Sequence, residues 1–201
     1  MKKSFAYVLL TIALLGMAGC SSGKKDSQTI DNQVIKENTT ILKTNGTIQS
    51  VIVESFEKDY YKKNDLNSYI EEAIQNYTKK AGKDTVVLDS LDVQNKVATA
   101  RISYKNMTDF AAFNSIETEL LTKEQALKDE RISDTVYSVE KGDTVELETA
   151  LKDKDYIIVV ANLPDENIMT EGKIAYYTNG TMSADNVIKA GSEGVTVMIY
   201  E

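Results

Sequence analysis

Carboxylates and tyrosines are what this chain has to do chemistry with. Its 201 residues include 31 Asp and Glu and 11 Tyr, but no His, no Trp and a single Cys, Cys20. Without His there is no Ser-His-Asp or Cys-His nucleophile, and zinc loses its usual nitrogen ligand. One cysteine excludes an internal disulfide, a thiol pair and an iron–sulfur ligand set. Carboxylate chemistry, serine–lysine chemistry, or binding without bond-making remain.

Four sets of residues qualify by type and spacing. Asp153, Asp155, Asp165 and Glu166 flank an apolar run, where acids at strand ends can hold calcium through oxygen ligands, although no EF-hand spacing is present. Glu71-Glu72 and Glu117 with Glu119 are paired carboxylates of the kind that hydrolyse glycosides. Helical periodicity puts Glu71 and Glu72 on the wet side. Tyr60-Tyr61 and Tyr176-Tyr177 are candidate stacking platforms for a sugar or a peptide, with one ring of each pair expected to face the core. Tyr69 and Tyr77 sit at the edge of a helical packing stripe. Gly191-Ser192-Glu193-Gly194 lacks the spacing and the lysine of a phosphate loop. No catalytic residue, metal ligand or cofactor-binding residue is assigned, and no cofactor is called for.

Local patterns say what positions these side chains. Asn45-Gly46 signals a turn, followed by a strand through Ile48, Val51, Val53 and Phe56. Leu66, Tyr69, Ile70, Ala73, Ile74 and Tyr77 form one stripe of a 3.6-residue period, so Asn64 to Ala81 is a helix. Asn64 or Asp65 can cap its start, and Gly82 can stop it. Thr85–Leu91 and Lys96–Lys105 are two further strands. In the second, Ala98, Ala100, Ile102 and Tyr104 alternate with more polar residues. Met107 to Phe113 reads as a short helix capped by Thr108, and Thr122 to Gln125 as a capping box opening another. Asp134–Val139 reads as a strand, while Thr144–Leu151 stays open between strand and helix. Tyr156 to Ala161 is a continuous apolar run, the best central strand, closed by Pro164. Gly172–Tyr177 and Val195–Tyr200 are the last two strands.

The N-terminal stretch speaks about place. Lys2 and Lys3, the apolar run Phe5 to Leu15 and the residues Gly16-Met17-Ala18-Gly19 have the layout of a secretory signal, with a core too short for a stable span. Met17-Ala18-Gly19-Cys20 resembles the lipobox of bacterial lipoproteins, with Met17 where Leu is usual. That resemblance implies cleavage before Cys20, a diacylglyceryl thioether on its sulfur and often an acyl group on its new amine. Two acyl chains hold firmly, since each buried CH₂ contributes roughly 0.8 kcal/mol. Thr47 to Phe56, Tyr60-Tyr61 and the Leu66–Tyr77 helix are similar to uncharacterised lipoproteins of anaerobic Gram-positive bacteria, a likeness that implies a location and no mechanism.

The expected organisation is a signal peptide over 1–19, a lipidated flexible tether over 20–39, and one α+β domain over 40–201. In that domain a mixed or mainly antiparallel sheet carries one principal amphipathic helix packed on it, plus short helices. A division near residue 106 is the alternative. The expected role is a lipid-anchored envelope protein on the outer face of the cytoplasmic membrane, serving as a non-enzymatic interaction or ligand-binding module. A carboxylate-dependent hydrolase of wall glycans and an extracytoplasmic folding factor are the alternatives. Its partners would be the membrane, through lipid on Cys20, and a protein or small-molecule ligand. A formal charge of −8 argues against nucleic acid.

Overall fold

The computed structural model describes residues 35–201. The expected signal peptide, Cys20 and the expected tether up to residue 34 lie outside the described residues. Residues 35–39, expected to end the tether, are already part of the fold: Ile35 packs on the sheet, and Asn38 Oδ1 accepts the Val53 N–H at 2.7 Å.

Thirteen strands and four helices follow one another among the described residues. Strands β1 (Thr39–Leu42) and β2 (Ile48–Ser55) form a hairpin, and helix α1 (Lys63–Ala81) follows. Helix α1 has no side-chain cap at its start and ends at Gly82, whose φ of 112° suits glycine alone among the common residues. Strands β3 (Val86–Gln94) and β4 (Val97–Tyr104) are joined through Asn95 and Lys96, both at positive φ. Two such residues make the mirror-image turn that matches the twist of a hairpin. Helix α2 (Met107–Asn114) is capped by Asn106 rather than Thr108, the Asp109 N–H donating to Asn106 Oδ1 at 2.8 Å. Then come β5 (Thr118–Leu121), α3 (Lys123–Ala126) with both bonds of its capping box, and β6 (Thr135–Ser138). The stretch left open between strand and helix is both: β7 (Asp143–Glu146) runs directly into α4 (Leu147–Ala150). The chain closes with β8 (Ile157–Ala161), β9 (Asn167–Thr170), β10 (Ile174–Thr178), β11 (Gly180–Ala184), β12 (Val187–Ala190) and β13 (Thr196–Tyr200).

These strands make two sheets, one ordered β11-β12-β9-β1-β2-β4-β3 and the other β5-β8-β13-β10-β6-β7. Strand β1 pairs with β9 in parallel, Thr39 opposite Asn167 and Leu42 opposite Thr170, which joins residues from either side of position 106. The other neighbours are antiparallel. The expected single sheet under one principal helix is therefore corrected to a mostly-β architecture of two sheets. The helix forms where its stripe places it, but β1, β5, β9, β11 and β12 had gone unread. Each is four or five residues long, too short for period-two alternation to stand out.

The apolar run of β8 reflects cores on both faces of the second sheet. Its Val159 and Ala161 point into the core between the sheets, with Met198 and Tyr200 of β13 and with Leu42, Ile102 and Ile168 of the first sheet. Its Ile158 and Val160 point the other way, into a second core closed by Ala126, Ile132, Leu147 and Leu151 from the α3–α4 segment. A strand buried on both faces reads as a continuous apolar run. Asn179, at φ 49°, marks the corner where the chain leaves the second sheet for the first. Its Nδ2 donates to the Glu193 and Val195 carbonyls, and a Cβ on Gly191 would meet Asn179 Oδ1 at 2.2 Å.

Candidate functional site

Strand β2 departs from the apolar rule on the face it turns inward. Period two puts Ile48, Ser50, Ile52 and Glu54 on that face, and the register sets Ser50 beside Thr40 of β1 and Ile102 of β4, and Glu54 beside Ala98. Helix α1 lays Leu66, Ile70, Ala73, Ile74 and Tyr77 over the same face, and α2 adds Phe110 and Phe113. Tyr77 ties the two helices together, donating to Asp109 Oδ1 at 2.9 Å and meeting Phe113 edge-on. Burial first, then Asp109, pushes the Tyr77 phenol up to about 12. Tyr77 is thus structural.

Two hollows open along β2. The inner one, about 70 Å³, is lined by Thr40, Ser50, Asn114, Glu54 and Glu166 among apolar residues of α2 and β4. Glu166 arrives there through a tight turn at the chain's only proline. The Glu166 N–H donates to the Leu163 carbonyl at 3.2 Å across Pro164 and Asp165, the latter at φ 59°. Proline second and a positive φ third is the pattern of a type II turn. Burial raises the Glu166 carboxyl above its ordinary range, offset in part by the Thr40 hydroxyl, which donates to Oε2 at 3.2 Å. Burial raises Glu54 likewise, offset in part by Asn38, whose Nδ2 donates to Oε1 at a long 3.4 Å. Neither carboxylate has an ion-pair partner among the described residues.

Beneath them lies Tyr104, 1% exposed. Ser50, Asn114 and Glu166, its polar neighbours, all line the inner hollow, yet the Tyr104 hydroxyl has no hydrogen-bond partner at bonding geometry. Asn114 Nδ2 donates instead to the Phe110 carbonyl at 2.9 Å. Burial pushes the Tyr104 phenol up to about 12, against the pull of Asn114 and Ser50. An orphaned buried hydroxyl is costly, about 1–3 kcal/mol.

The outer hollow, about 300 Å³, lies between the end of β2 and the start of α1. Phe56, Tyr60, Tyr61 and Tyr69 form its aromatic walls, and Glu54, Lys62 and Asp65 contribute charge. The Phe56 and Tyr61 rings are 5.1 Å apart at 38°, and Tyr60 meets Tyr61 at 4.9 Å and 78°. Burial and the adjacent Tyr60 raise the Tyr61 phenol. Glu54 lines both hollows and a small apolar gap under α1 as well, so it is the wall they share.

The residues singled out by sequence separate into those brought together and those not. Tyr60 and Tyr61 do share a recess, joined by Phe56 and Tyr69. Tyr176 and Tyr177 do not form a platform, because they point to opposite faces of β10: Tyr176 meets Tyr156 and Tyr177 meets Tyr137. Asp153 and Asp155 precede β8 while Asp165 and Glu166 follow it, so they do not converge. No group of three potential metal ligands occurs among the described residues. Glu71 and Glu72 are exposed on α1, and Glu119 is paired with Arg131. The expectation that Ser-x-x-Lys is absent from the domain is corrected: among the described residues the spacing occurs at Ser55–Lys58 and Ser138–Lys141, and Ser138 Oγ accepts the Lys141 backbone N–H rather than its ammonium. Glu54 was also missed. Its signal was available, since it falls in step with Ile48 and Ile52 on a half-buried strand.

What the inner pair can do chemically is limited. Glycoside hydrolysis sets one protonated carboxyl against one kept ionised. Here both are raised by the same cause, neither perturbs the other, and the hollow is far below the ~300–1,000 Å³ of small-molecule sites. The outer groove reaches that range. Comparison with protein-family models, with curated proteins and with solved structures finds no match for the chain. Among the described residues no helix is long and apolar enough to cross a membrane.

Proposed function

We propose that this chain is a lipid-anchored envelope protein, held through Cys20 at the outer face of the cytoplasmic membrane, whose folded part binds a small ligand in the aromatic groove beside β2. The observation that carries the binding role is the position of Glu54: a desolvated carboxylate without an ion-pair partner, at the inner end of a recess walled by four aromatic rings. Binding sites combine apolar walls with a few placed polar groups, and the groove has that composition. A folding factor would call for an exposed aliphatic surface, whereas this groove is aromatic and charged.

Two measurements test the reading. Full-length protein purified in mild detergent should carry a small molecule visible by native mass spectrometry, or acquire one from a metabolite extract. Tyr60→Ala, at a residue 72% exposed, should abolish that adduct without changing thermal stability. Persistent absence of any adduct, or an adduct indifferent to Tyr60, overturns the groove as a binding site. For the anchor, Cys20→Ser should abolish lipid labelling and let precursor accumulate; unaltered labelling overturns it.

A further inference from the structure

We infer that the ligand of the aromatic groove is a small organic cation, an ammonium group on a short apolar stem, seated against Tyr60 and Tyr61 with its charge on Glu54. This rests on the groove being a binding site and adds the chemical class of the occupant.

Ring geometry is the first argument. A sugar ring stacks on one flat aromatic face. The rings here stand at 38° and 78° to one another and make a corner, which encloses a compact group on more than one side. Aromatic faces carry negative potential, so a corner of them suits a cation, as in recognition of quaternary ammonium groups. Charge is the second argument. Glu54 and Asp65 face the groove against one lysine, Lys62, which is exposed and pairs with neither among the described residues. Asp65 lies in the first turn of α1 and offsets the positive end of that helix. A cation would supply what Glu54 lacks: a partner for a carboxylate that burial penalises and that only a long hydrogen bond from Asn38 relieves.

The third argument comes from the far side of the molecule. In the second sheet, Tyr156 and Tyr176 meet edge-on beside Glu201 in a recess of about 390 Å³. There the chain fills the equivalent need itself: Lys154 sits 5.6 Å over the Tyr156 ring and pairs with Glu201. Two tyrosines and a carboxylate attract a cation in that setting. In the groove the tyrosines and the carboxylate are present, and its one lysine, Lys62, is exposed and makes no ion pair with Glu54 and no ring contact with Tyr60 or Tyr61 among the described residues.

The test uses choline and 3,3-dimethylbutan-1-ol, which match in shape and differ in charge, titrated into the full-length protein and followed by NMR of tyrosine ring protons. Choline should bind saturably, at least tenfold more tightly than the neutral alcohol, and its affinity should rise with pH as Glu54 ionises through its raised range. Glu54→Gln should cost choline tenfold or more and leave the alcohol within twofold. Tyr60→Ala, exposed and safe for folding, should weaken choline at least fivefold. Equal binding of the two probes would overturn the cation while leaving the groove a binding site. Saturable binding that ignores both substitutions would overturn the location. Binding of neither probe would overturn the inference, and a surviving Tyr60-dependent native adduct would show that the groove still binds something else.

Discussion

Two recesses of this protein are built from the same kinds of side chain and differ in how far the chain satisfies them. Beside β10, Tyr156, Tyr176 and Glu201 are completed by Lys154, which supplies both a charge partner and a cation over a ring. Beside β2, Tyr60, Tyr61 and Glu54 have no cation paired with them among the described residues, the hollow behind them is lined by a second carboxylate without an ion-pair partner, Glu166, and beneath it the Tyr104 hydroxyl lacks a hydrogen-bond partner. Folding alone tends to pair buried polar groups, because leaving them unpaired costs stability. Shortfall gathered beside β2, from Glu54, Glu166 and Tyr104, therefore points away from packing and toward an occupant.

The strongest way to break that contrast is at Tyr104. Tyr104→Phe removes a hydroxyl that has no hydrogen-bond partner among the described residues, so it should raise the unfolding free energy by about 1–3 kcal/mol in denaturant titration. A loss of that size would mean the hydroxyl is satisfied and the two recesses are alike. Next, a cation can be moved into the groove covalently. Tyr69→Lys, at a position 47% exposed on the groove wall, should weaken choline about tenfold, or about 1.4 kcal/mol, with little change in melting temperature.

Glu166→Gln should recover a pH-dependent gain. The folded pKa of Glu166 is raised, so its protonated form favours the fold at low pH, and that contribution is lost as pH rises through the raised value. Wild type and variant should match below the ordinary carboxylate range, and the variant should become the more stable of the two above it. Chemical denaturation across that window reads the crossover. The smallest effect is expected in the completed recess. Lys154→Met should cost no more than about 1 kcal/mol, since the pair is half exposed, and should let the Tyr156 recess take up choline weakly.

Much of the local structure was legible because it has a period or a punctuation. The α1 stripe, the capping box at Thr122 and the apolar run of β8 each repeat a pattern that needs no tertiary context. The division into two sheets was not legible, and much of the first sheet went unread. Strands β9, β11 and β12 are four or five residues with Gly, Thr, Ser or Lys among them, and they become strands by pairing with distant neighbours such as β1. Thr108 was read as a cap because hydroxyls favour that place, but Asn106 reached the free N–H first. At the site, Tyr60 and Tyr61 stood out as adjacent rings. Glu166 stood out as an acid beside Pro164, but its neighbours suggested calcium. Its meeting with Glu54 depends on β1 bringing residues 166 and 54 to one hollow, a long-range fact no local window contains.

Strand β1 has one more consequence. It is the first strand of the described residues, and it is held on both sides, antiparallel to β2 and parallel to β9. A pull on residue 35 runs along β1 and loads both ladders in shear, so their hydrogen bonds resist together instead of parting one by one. The groove hangs from β2, the next strand in. When residue 35 is pulled, the strand that takes the tension is held on both sides, and the groove lies one strand further in, sheltered from the load.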